Sequence, residues 1–460
     1  MIKLTGSLVT FPARVTLAGY LLLITIGSIL LFLPISHAPD SGGMEFSDSI
    51  FTATSAVCVT GLVVQSTGHD FSFFGQCVIL VLIQFGGIGI MTVTTYVILN
   101  WQRQQSLLYR QMVSDTVGPE SQGDLSGVLF RIIGLTLLFE GIGFAILAVR
   151  FCTEFPIPKA LWHALFHSVS AFCNAGFSLN DNSLIPYRLD LIVNFAIIML
   201  VLIGGIGYPV LLDLQRSFRK HKAWSERWKH LQLHSKLMLL GTSTLLLLGT
   251  LAVLFLEWDG VLADVPMGLR PLVAFFHSVT CRTAGFNTVD VGSLTNATLF
   301  ISVLFMAIGA GPGSTAGGFK VSTMTILVLR AWATFRGHTS VRVFRRTIPR
   351  EVISRAITTA MLFFVVAVVA LTTFLVVEQS GSSTSIKDGR FLGGLFEIVS
   401  ALGTVGLSTG ITDQLTQTSR LILVVLMLIG RLGPISIFAA LSHAAHDDPI
   451  EYPSEEPLIG

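Results

Sequence analysis

The chain has very little charge. Only 12% of its 460 residues are Asp, Glu, Lys or Arg, and 52% are hydrophobic, whereas a soluble domain carries roughly 25% charged residues. This composition excludes an ordinary soluble protein. A membrane-spanning helix needs about 20 apolar residues, and the chain has eight candidate runs: the uncharged stretches 15–39, 71–102, 191–212, 237–256, 291–319 and 356–377, and two runs that each contain one charge, around Glu140 and Arg431.

Cysteine pairs and nucleotide-binding motifs are also missing. The five cysteines have no paired spacing that would predict a disulfide framework or a zinc site. No strand-like segment leads into a GxGxxG motif, and GSTAGGFK at 313–320 fails as a phosphate-binding loop because Phe319 separates its glycines from Lys320. We therefore expect no cofactor in this chain and no nucleic-acid partner, with any nucleotide control acting through a separate subunit.

Lys and Arg are unevenly distributed. Seven lie in segment 215–236 and seven in 330–355, whereas segment 37–50 has none. Because basic loops remain in the cytoplasm, these two segments are predicted to be cytoplasmic. With eight spans both termini lie there as well, in a protein of the plasma membrane. The basic segments either only set this topology or also form a docking surface for a partner or for anionic lipid.

A short segment recurs four times between alternate apolar runs. The copies are SIFTATSAVCVTGL (49–62), ALFHSVSAFCNAGF (164–177), AFFHSVTCRTAGF (274–286) and GLFEIVSALGTVGL (394–407). Their shared glycines are Gly61, Gly176, Gly285 and Gly406. A second glycine cluster follows each copy, beginning at Gly86, Gly204, Gly309 and Gly430, which lie 25, 28, 24 and 24 residues downstream. Two landmarks at matching offsets indicate an internal repeat.

The repeat predicts the fold. Each unit consists of a span, a half-length helix, an extended strip and a second span, so the chain is predicted to be an all-α integral membrane protein. Its eight transmembrane helices would surround a pseudo-fourfold pore. The predicted units are 13–102, 125–214, 234–335 and 351–441, followed by a cytoplasmic tail, 442–460. In the first two units we interpret the downstream glycine clusters as close helix packing.

The four strips contain no acidic residue. Non-helical backbone at membrane depth is tolerated where it lines a cavity or lies inside protein. Carbonyl oxygens of such strips can replace the water shell of a cation, and glycine permits the positive φ angles that aim them at one axis. We therefore predict a potassium-binding carbonyl filter formed by Val59, Thr60, Gly61, Asn174, Ala175, Gly176, Thr283, Ala284, Gly285, Thr404, Val405 and Gly406.

The sixth apolar run contains the segment GAGPGSTAGG, 309–318. So many glycines around a proline cannot remain a regular helix, so we predict a loop beneath the filter, or alternatively a packing kink. An arginine within a membrane costs free energy, and Arg431 would donate hydrogen bonds to the unpaired carbonyls of this loop. The predicted gate residues are Gly309, Gly311, Gly313, Ser314, Thr315, Gly317, Gly318 and Arg431.

Four other polar residues lie within the repeats or spans. Arg282 either pairs with an acid such as Glu397 or lies at the outer mouth. His167 and His277 occupy matching positions and are predicted to be packing residues. Glu140 is predicted to form a hydrogen bond between spans, and it forms no catalytic constellation with Arg431. An enzyme is therefore not expected.

In SVTCRTAGFNT, AIGAGPGSTAGGFKVST, SALGTVGLSTG and LIGRLGPISI the chain resembles the Trk/Ktr/HKT superfamily of potassium and sodium transporters, over essentially its whole length. With its first span starting near residue 13, it looks like a Ktr-type membrane subunit. The resemblance implies a homodimeric potassium-uptake protein with one pore per chain and the 309–318 loop as its gate. It also implies a cytosolic ring of regulatory subunits that bind ATP/ADP or NAD. Plant sodium transporters of the family often have serine at the position of Gly61, so glycine favours potassium. A sodium or mixed-cation transporter and a secondary carrier remain the alternatives.

Overall fold

The computed structural model of the chain describes residues 12–39, 43–89, 125–220, 223–380 and 390–433. The ends of the first and fourth predicted units, 90–102 and 434–441, lie outside these residues, as do the predicted tail 442–460 and both termini. The α-helices within the described residues are α1 Pro12–Phe32, α2 Phe46–Val57, α3 Phe73–Ile88, α4 Leu125–Phe151, α5 Ile157–Phe172, α6 Leu191–Ile206, α7 Tyr208–Lys220, α8 Trp224–His230, α9 Leu233–Leu256, α10 Arg270–Thr280, α11 Asn296–Ala307, α12 Val321–Phe335, α13 Arg350–Ser380, α14 Arg390–Gly403 and α15 Gln417–Leu432.

Three of these helices are long and apolar enough to cross a membrane alone, within Phe130–Phe151, Leu233–Leu256 and Arg350–Glu378. The pair α6 and α7 qualifies as a fourth span, although the two are bent by 99°. Shorter apolar helices occupy Thr16–Phe32, Phe73–Ile88, Asn296–Ala307, Val321–Phe335 and Phe391–Gly403. The predicted count of eight spans therefore remains a prediction.

The four predicted half-length helices are α2, α5, α10 and α14, with 12, 16, 11 and 14 residues. The helix that follows each of them begins with a side-chain cap: Ser72 accepts from the Gly75 N–H, Asp190 from Ile192 and Val193, and Thr416 from Ser419. Thr295 caps α11 in the same way. These caps satisfy N–H groups that have no partner inside the helix.

The half-length helices are joined in a closed circuit. The helix after each one packs against the half-length helix of the next unit: α3 on α5, α6 on α10, and α11 on α14. The last helix, α15, returns to pack on α2. One apolar core accordingly joins Phe51 of α2 to Phe374 of α13 and Leu423 of α15. The first and last units therefore meet although they are far apart in sequence.

Glycine ends three second helices at the same point. Gly89, Gly207 and Gly433 have φ angles of 86°, 99° and 82° and follow α3, α6 and α15 directly. A positive φ costs little at glycine. The candidate run 191–212 is divided by Gly207 between α6 and the start of α7, a break that the sequence analysis did not predict. In the third unit the break is longer, since residues 308–320 between α11 and α12 are not helical, as predicted.

The basic segments connect helices: 215–236 runs from α7 into α9, and 330–355 runs from α12 into α13. Between α12 and α13, the strands β1 Arg342–Val343 and β2 Arg346–Thr347 pair antiparallel. Phe344 and Arg345 form the turn with φ angles of 50° and 61°. The Phe344 ring contacts Trp228 of α8 edge-on at 6.4 Å, and Lys236 Nζ lies 5.6 Å from its centre. These contacts hold the hairpin against segment 223–236.

Candidate cation pathway

Four strips, 59–61, 174–176, 283–285 and 404–406, follow the half-length helices, and all twelve of their residues are buried. Each glycine has a positive φ: 94° at Gly61, 70° at Gly176, 77° at Gly285 and 90° at Gly406. Two residues before each glycine, φ is positive again, at Val59, Asn174, Thr283 and Thr404. Non-glycine residues rarely adopt this conformation. All four strips therefore share one strained backbone, which the sequence prediction anticipated only at the glycines.

The four glycines form a ring. A Cβ added to Gly61 would come 3.1 Å from the Cα of Gly176, and one on Gly176 would come 2.8 Å from the Cα of Gly285. A Cβ on Gly285 would lie 3.4 Å from Gly406, and one on Gly406 would lie 3.0 Å from Gly61, which completes the circle. The same four added atoms would meet the carbonyl oxygens of Ala175, Ala284, Val405 and Thr60. The ring thus has no room for a side chain, and a backbone carbonyl oxygen lies beside each pair of neighbouring glycines.

The strip N–H groups point away from these oxygens. The central N–H of each strip donates to a carbonyl in the preceding helix: Thr60 to Ser55 at 2.8 Å, Ala175 to Ser170 at 2.7 Å, Ala284 to Thr280 at 3.1 Å and Val405 to Ser400 at 2.8 Å. The hydroxyls of Ser55 and Ser400 also accept from the N–H groups of Gly61 and Gly406, both at 3.1 Å. The strip N–H groups are held in this way, and among the described residues the strip carbonyl oxygens accept no backbone hydrogen bond, so a ligand can use them.

Some strip hydroxyls also lack a partner. The buried Oγ1 atoms of Thr60, Thr283 and Thr404 have no hydrogen-bond partner among the described residues. A buried polar atom left unpaired is costly, and a cation or its water would satisfy it. This observation, independent of the glycine ring, indicates that the strips face a polar occupant.

Seven of the eight gate residues predicted from the sequence lie in the non-helical segment 308–320, and the eighth, Arg431, lies near the end of α15. This loop contacts the ends of α6 and α15. The N–H of Gly311 donates to Gly205 at 2.9 Å, that of Thr315 to Gly204 at 3.3 Å, and that of Gly318 to Gly430 at 3.2 Å. A Cβ added to Gly318 would lie 2.9 Å from the carbonyl oxygen of Gly403, directly before the fourth strip. The loop therefore lies against the inner end of the strips.

Two cations hold this loop. Arg431 donates to the Thr315 carbonyl, to the Gly86 carbonyl and, at 3.2 Å, to the Tyr20 hydroxyl. Lys320 Nζ donates to Ala316 at 2.7 Å and to Gly317 at 3.1 Å. Three successive loop carbonyls are thus bound by positive groups. Sequence reasoning missed Lys320, which it considered only as part of a failed phosphate loop.

The structure corrects the pairing expected for Arg282. Its Nη2 donates to Thr242 at 3.4 Å, whereas Glu397 accepts from Ser408 at 2.6 Å and Thr412 at 2.9 Å. Arg282 is also only 5% exposed, so it is not a surface residue of the outer mouth. Each residue instead serves its own unit, because Glu397 braces the loop that leaves the fourth strip.

The other polar residues lie where the sequence predicted. His167 contacts the His163 carbonyl at 2.8 Å and Ser178 at 3.0 Å, and His277 contacts Ser302 at 3.0 Å. Glu140 accepts from Gln84 of α3 at 3.1 Å, which joins two helices. The downstream glycines also pack closely, since a Cβ at Gly86 or Gly204 would meet the last carbonyl of α2 or α5.

Known proteins are similar to this chain in sequence. Residues 18–448 match TrkH, a family described as cation transport protein. The chain belongs to this family. It is 35% identical to the Ktr system potassium uptake protein B of Bacillus subtilis, over 98% of this chain and 97% of the relative. It is 34% identical to the potassium/sodium uptake protein NtpJ of Enterococcus hirae, over 98% of this chain and 97% of that protein.

The fold is also that of a solved structure. The potassium transporter TrkH from Vibrio parahaemolyticus superimposes with a TM-score of 0.69 at 19% identity, covering 93% of this chain and 83% of that one. The superfamily inferred from the sequence motifs is therefore confirmed. The chain is a predominantly helical, multi-pass membrane protein of a transporter family.

Proposed function

We propose that this family member takes up potassium ions through the ring formed by its four strips. The observation that supports this most directly is the closed circle of Gly61, Gly176, Gly285 and Gly406, bordered by backbone oxygens. Carbonyl oxygens that replace the hydration shell are how a filter without acidic side chains selects a cation. The half-length helices also place their negative C-terminal ends beside the strips, which favours cations.

The proposed architecture is four units and eight spans around this axis. The short apolar helices complete the spans that the long helices do not provide, and the closed helix circuit supports pseudo-fourfold symmetry. From the basic segments we infer that the termini are cytoplasmic and the membrane is the plasma membrane.

A mixed potassium and sodium transporter is the second candidate, because a relative of similar identity is named a potassium/sodium uptake protein. We favour potassium because the first strip has Gly61, which keeps the ring free of a Cβ. The test is uptake in a strain that lacks its own potassium-uptake systems. Potassium uptake that excess sodium does not inhibit supports the first candidate. Equal uptake of both ions supports the second, and uptake of neither contradicts both.

The loop 308–320 is proposed as the gate. Arg431 places a positive charge at the inner end of the strips, with Lys320 beside it on the loop, and a cation leaving the ring would be repelled by Arg431. Release of the loop would remove this barrier. The carbonyls of Thr315, Ala316 and Gly317, which accept from the Arg431 and Lys320 side chains, would then be free.

Regulation is proposed to come from a cytosolic ring of subunits that bind ATP/ADP or NAD, on a homodimer of this chain. The proposed docking site is the hairpin with the exposed Arg345 and Arg346. Its turn residues Phe344 and Arg345 both have a positive φ, which is strained in non-glycine residues. Strain of this kind persists where the surroundings or a function require it.

A further inference from the structure

A cavity of about 490 Å³ lies between the first and second units, away from the strips. Its walls come from the loop after the first strip (Gly68), the start of α5 (Lys159, Trp162, His163) and the loop after the second strip (Asn180, Asp181). Cavities of this size hold small ligands. The cavity lies at the end of the molecule that the Lys and Arg distribution predicts to be external.

One wall of the cavity has an unsatisfied polar group. His163 is 7% exposed, and its Nδ1 has no hydrogen-bond partner among the described residues. Its ring stacks on Phe155 at 5.0 Å and on His167 at 5.8 Å, so it is held in place. A buried polar atom of this kind normally has a partner. A ligand bound in the cavity would supply the missing partner of Nδ1.

The rim of the cavity carries both signs of charge and an interfacial aromatic pair. Lys159 Nζ lies 4.9 Å from the centre of the Phe155 ring, and Asp181 accepts from Ser66 across the two units. Trp162 donates to Gln76 at 2.8 Å and packs on Phe73 at 4.6 Å. Phe73 is 65% exposed, on the side of the cavity where α3 begins. Tryptophan at a membrane boundary marks the level of the lipid head groups.

We propose that this cavity binds the head group of a zwitterionic phospholipid with a primary ammonium, of the phosphatidylethanolamine type. The phosphate pairs with Lys159 and reaches the neighbourhood of His163, and the ammonium pairs with Asp181. The acyl chains lie on the exposed apolar surface at Phe73. A free anion would use Lys159 but would make no use of the Asp181 carboxylate or of the apolar surface at Phe73.

The head group would brace the second strip from outside. The carbonyl of His163 accepts from His167, and the far nitrogen of His167 contacts Ser178, two residues after Gly176. A lipid that fixes the start of α5 therefore acts on the strip through two short contacts.

The test measures binding to the purified full-length protein in detergent by thermal stabilisation. Dihexanoyl phosphatidylethanolamine should stabilise the parent. Dihexanoyl phosphatidylcholine, whose ammonium has no N–H donor, should bind about tenfold more weakly, which is the loss of one charge-assisted bond. Lys159→Ala and Asp181→Asn should each weaken phosphatidylethanolamine binding by a similar factor. Asp264→Asn, which removes an exposed acid outside the cavity, should not.

Three results would overturn the proposal. The variants could bind phosphatidylethanolamine as the parent does, the two lipids could bind equally, or inorganic phosphate or phosphoethanolamine alone could stabilise the parent as strongly as the lipid. The last result would make the cavity a site for a free anion. None of these measurements depends on which ion the chain transports, so a failure here leaves the proposed function untouched.

Discussion

At the scale of single residues, the four ring glycines leave no room for a side chain. Gly406→Ser or Gly61→Ser would place a Cβ against the carbonyl oxygen of Thr60 or Ala175. Since the strain cannot be relieved without moving a neighbouring strip, we expect a lower preference for potassium over sodium. The measurement is competition uptake of the two ions. Unchanged discrimination in both variants would contradict the filter assignment.

The residue scale also shows what the sequence could not predict. The aligned glycines and the hydroxyl residues Ser55, Ser170, Thr280 and Ser400 can be seen in the repeat. Each strip needs the same backbone, and the carbonyl of each of these hydroxyl residues accepts from the central N–H of its strip. The positive φ of Val59 or Thr404 is not visible, since neither residue type favours it. The partners of Arg282 were also unpredictable, because the pairing depends on which helix ends meet in space.

At the scale of elements, the proposed gate is a latch between the loop 308–320 and α15. Arg431→Ala removes donors to Thr315 and Gly86, and each charge-assisted bond is worth roughly 1.5–3 kcal/mol. Since 1.4 kcal/mol corresponds to a factor of ten, losing one bond should raise the open fraction about tenfold. Flux without the regulatory partner should therefore increase while ion preference is unchanged.

A shorter loop is a second test of the latch. Deletion of residues 313–317 should raise flux as Arg431→Ala does, and Lys320→Met should do so more weakly because its partners lie within the loop itself. The Gly406→Ser variant should change preference and leave partner dependence intact. Variants that reach the membrane but conduct no faster than the parent would place the gate elsewhere.

The helix breaks illustrate the limit of element prediction. The break at 308–320 could be predicted because five glycines and a proline lie together, whereas the ends of α3, α6 and α15 each depend on one glycine in an apolar run. A single glycine costs a helix only about 1 kcal/mol, so the run still reads as one span. The recurring spacing of three residues in GGIG, GGIG and GRLG was the available signal.

At the scale of the whole molecule, the basic hairpin at 342–347 is the surface proposed for the regulatory ring. Arg345→Glu with Arg346→Glu should weaken co-purification of the regulatory subunit, because charge complementarity is reversed. The matched control is Arg188→Glu, a charge reversal on a half-buried arginine at the end predicted to be external. If both variants retain the subunit equally, the basic segments only set topology.

The ring must also close between the fourth unit and the first, which no chain connection joins. Arg420 of α15 binds Asp48 of α2 at 2.7 Å and the Asp413 carbonyl at 2.7 Å, and the Asp48 side chain is only 7% exposed. Arg420→Ala should lower stability by about 1.5–3 kcal/mol and, because it opens this joint, should also reduce potassium preference. Arg150→Ala removes a comparable pair with Asp190 that lies within the second unit, so it should cost stability without changing preference. Thermal unfolding and competition uptake of both variants separate the two effects. A loss of preference in Arg150→Ala as large as that in Arg420→Ala would show that selectivity follows overall stability and not closure of the ring.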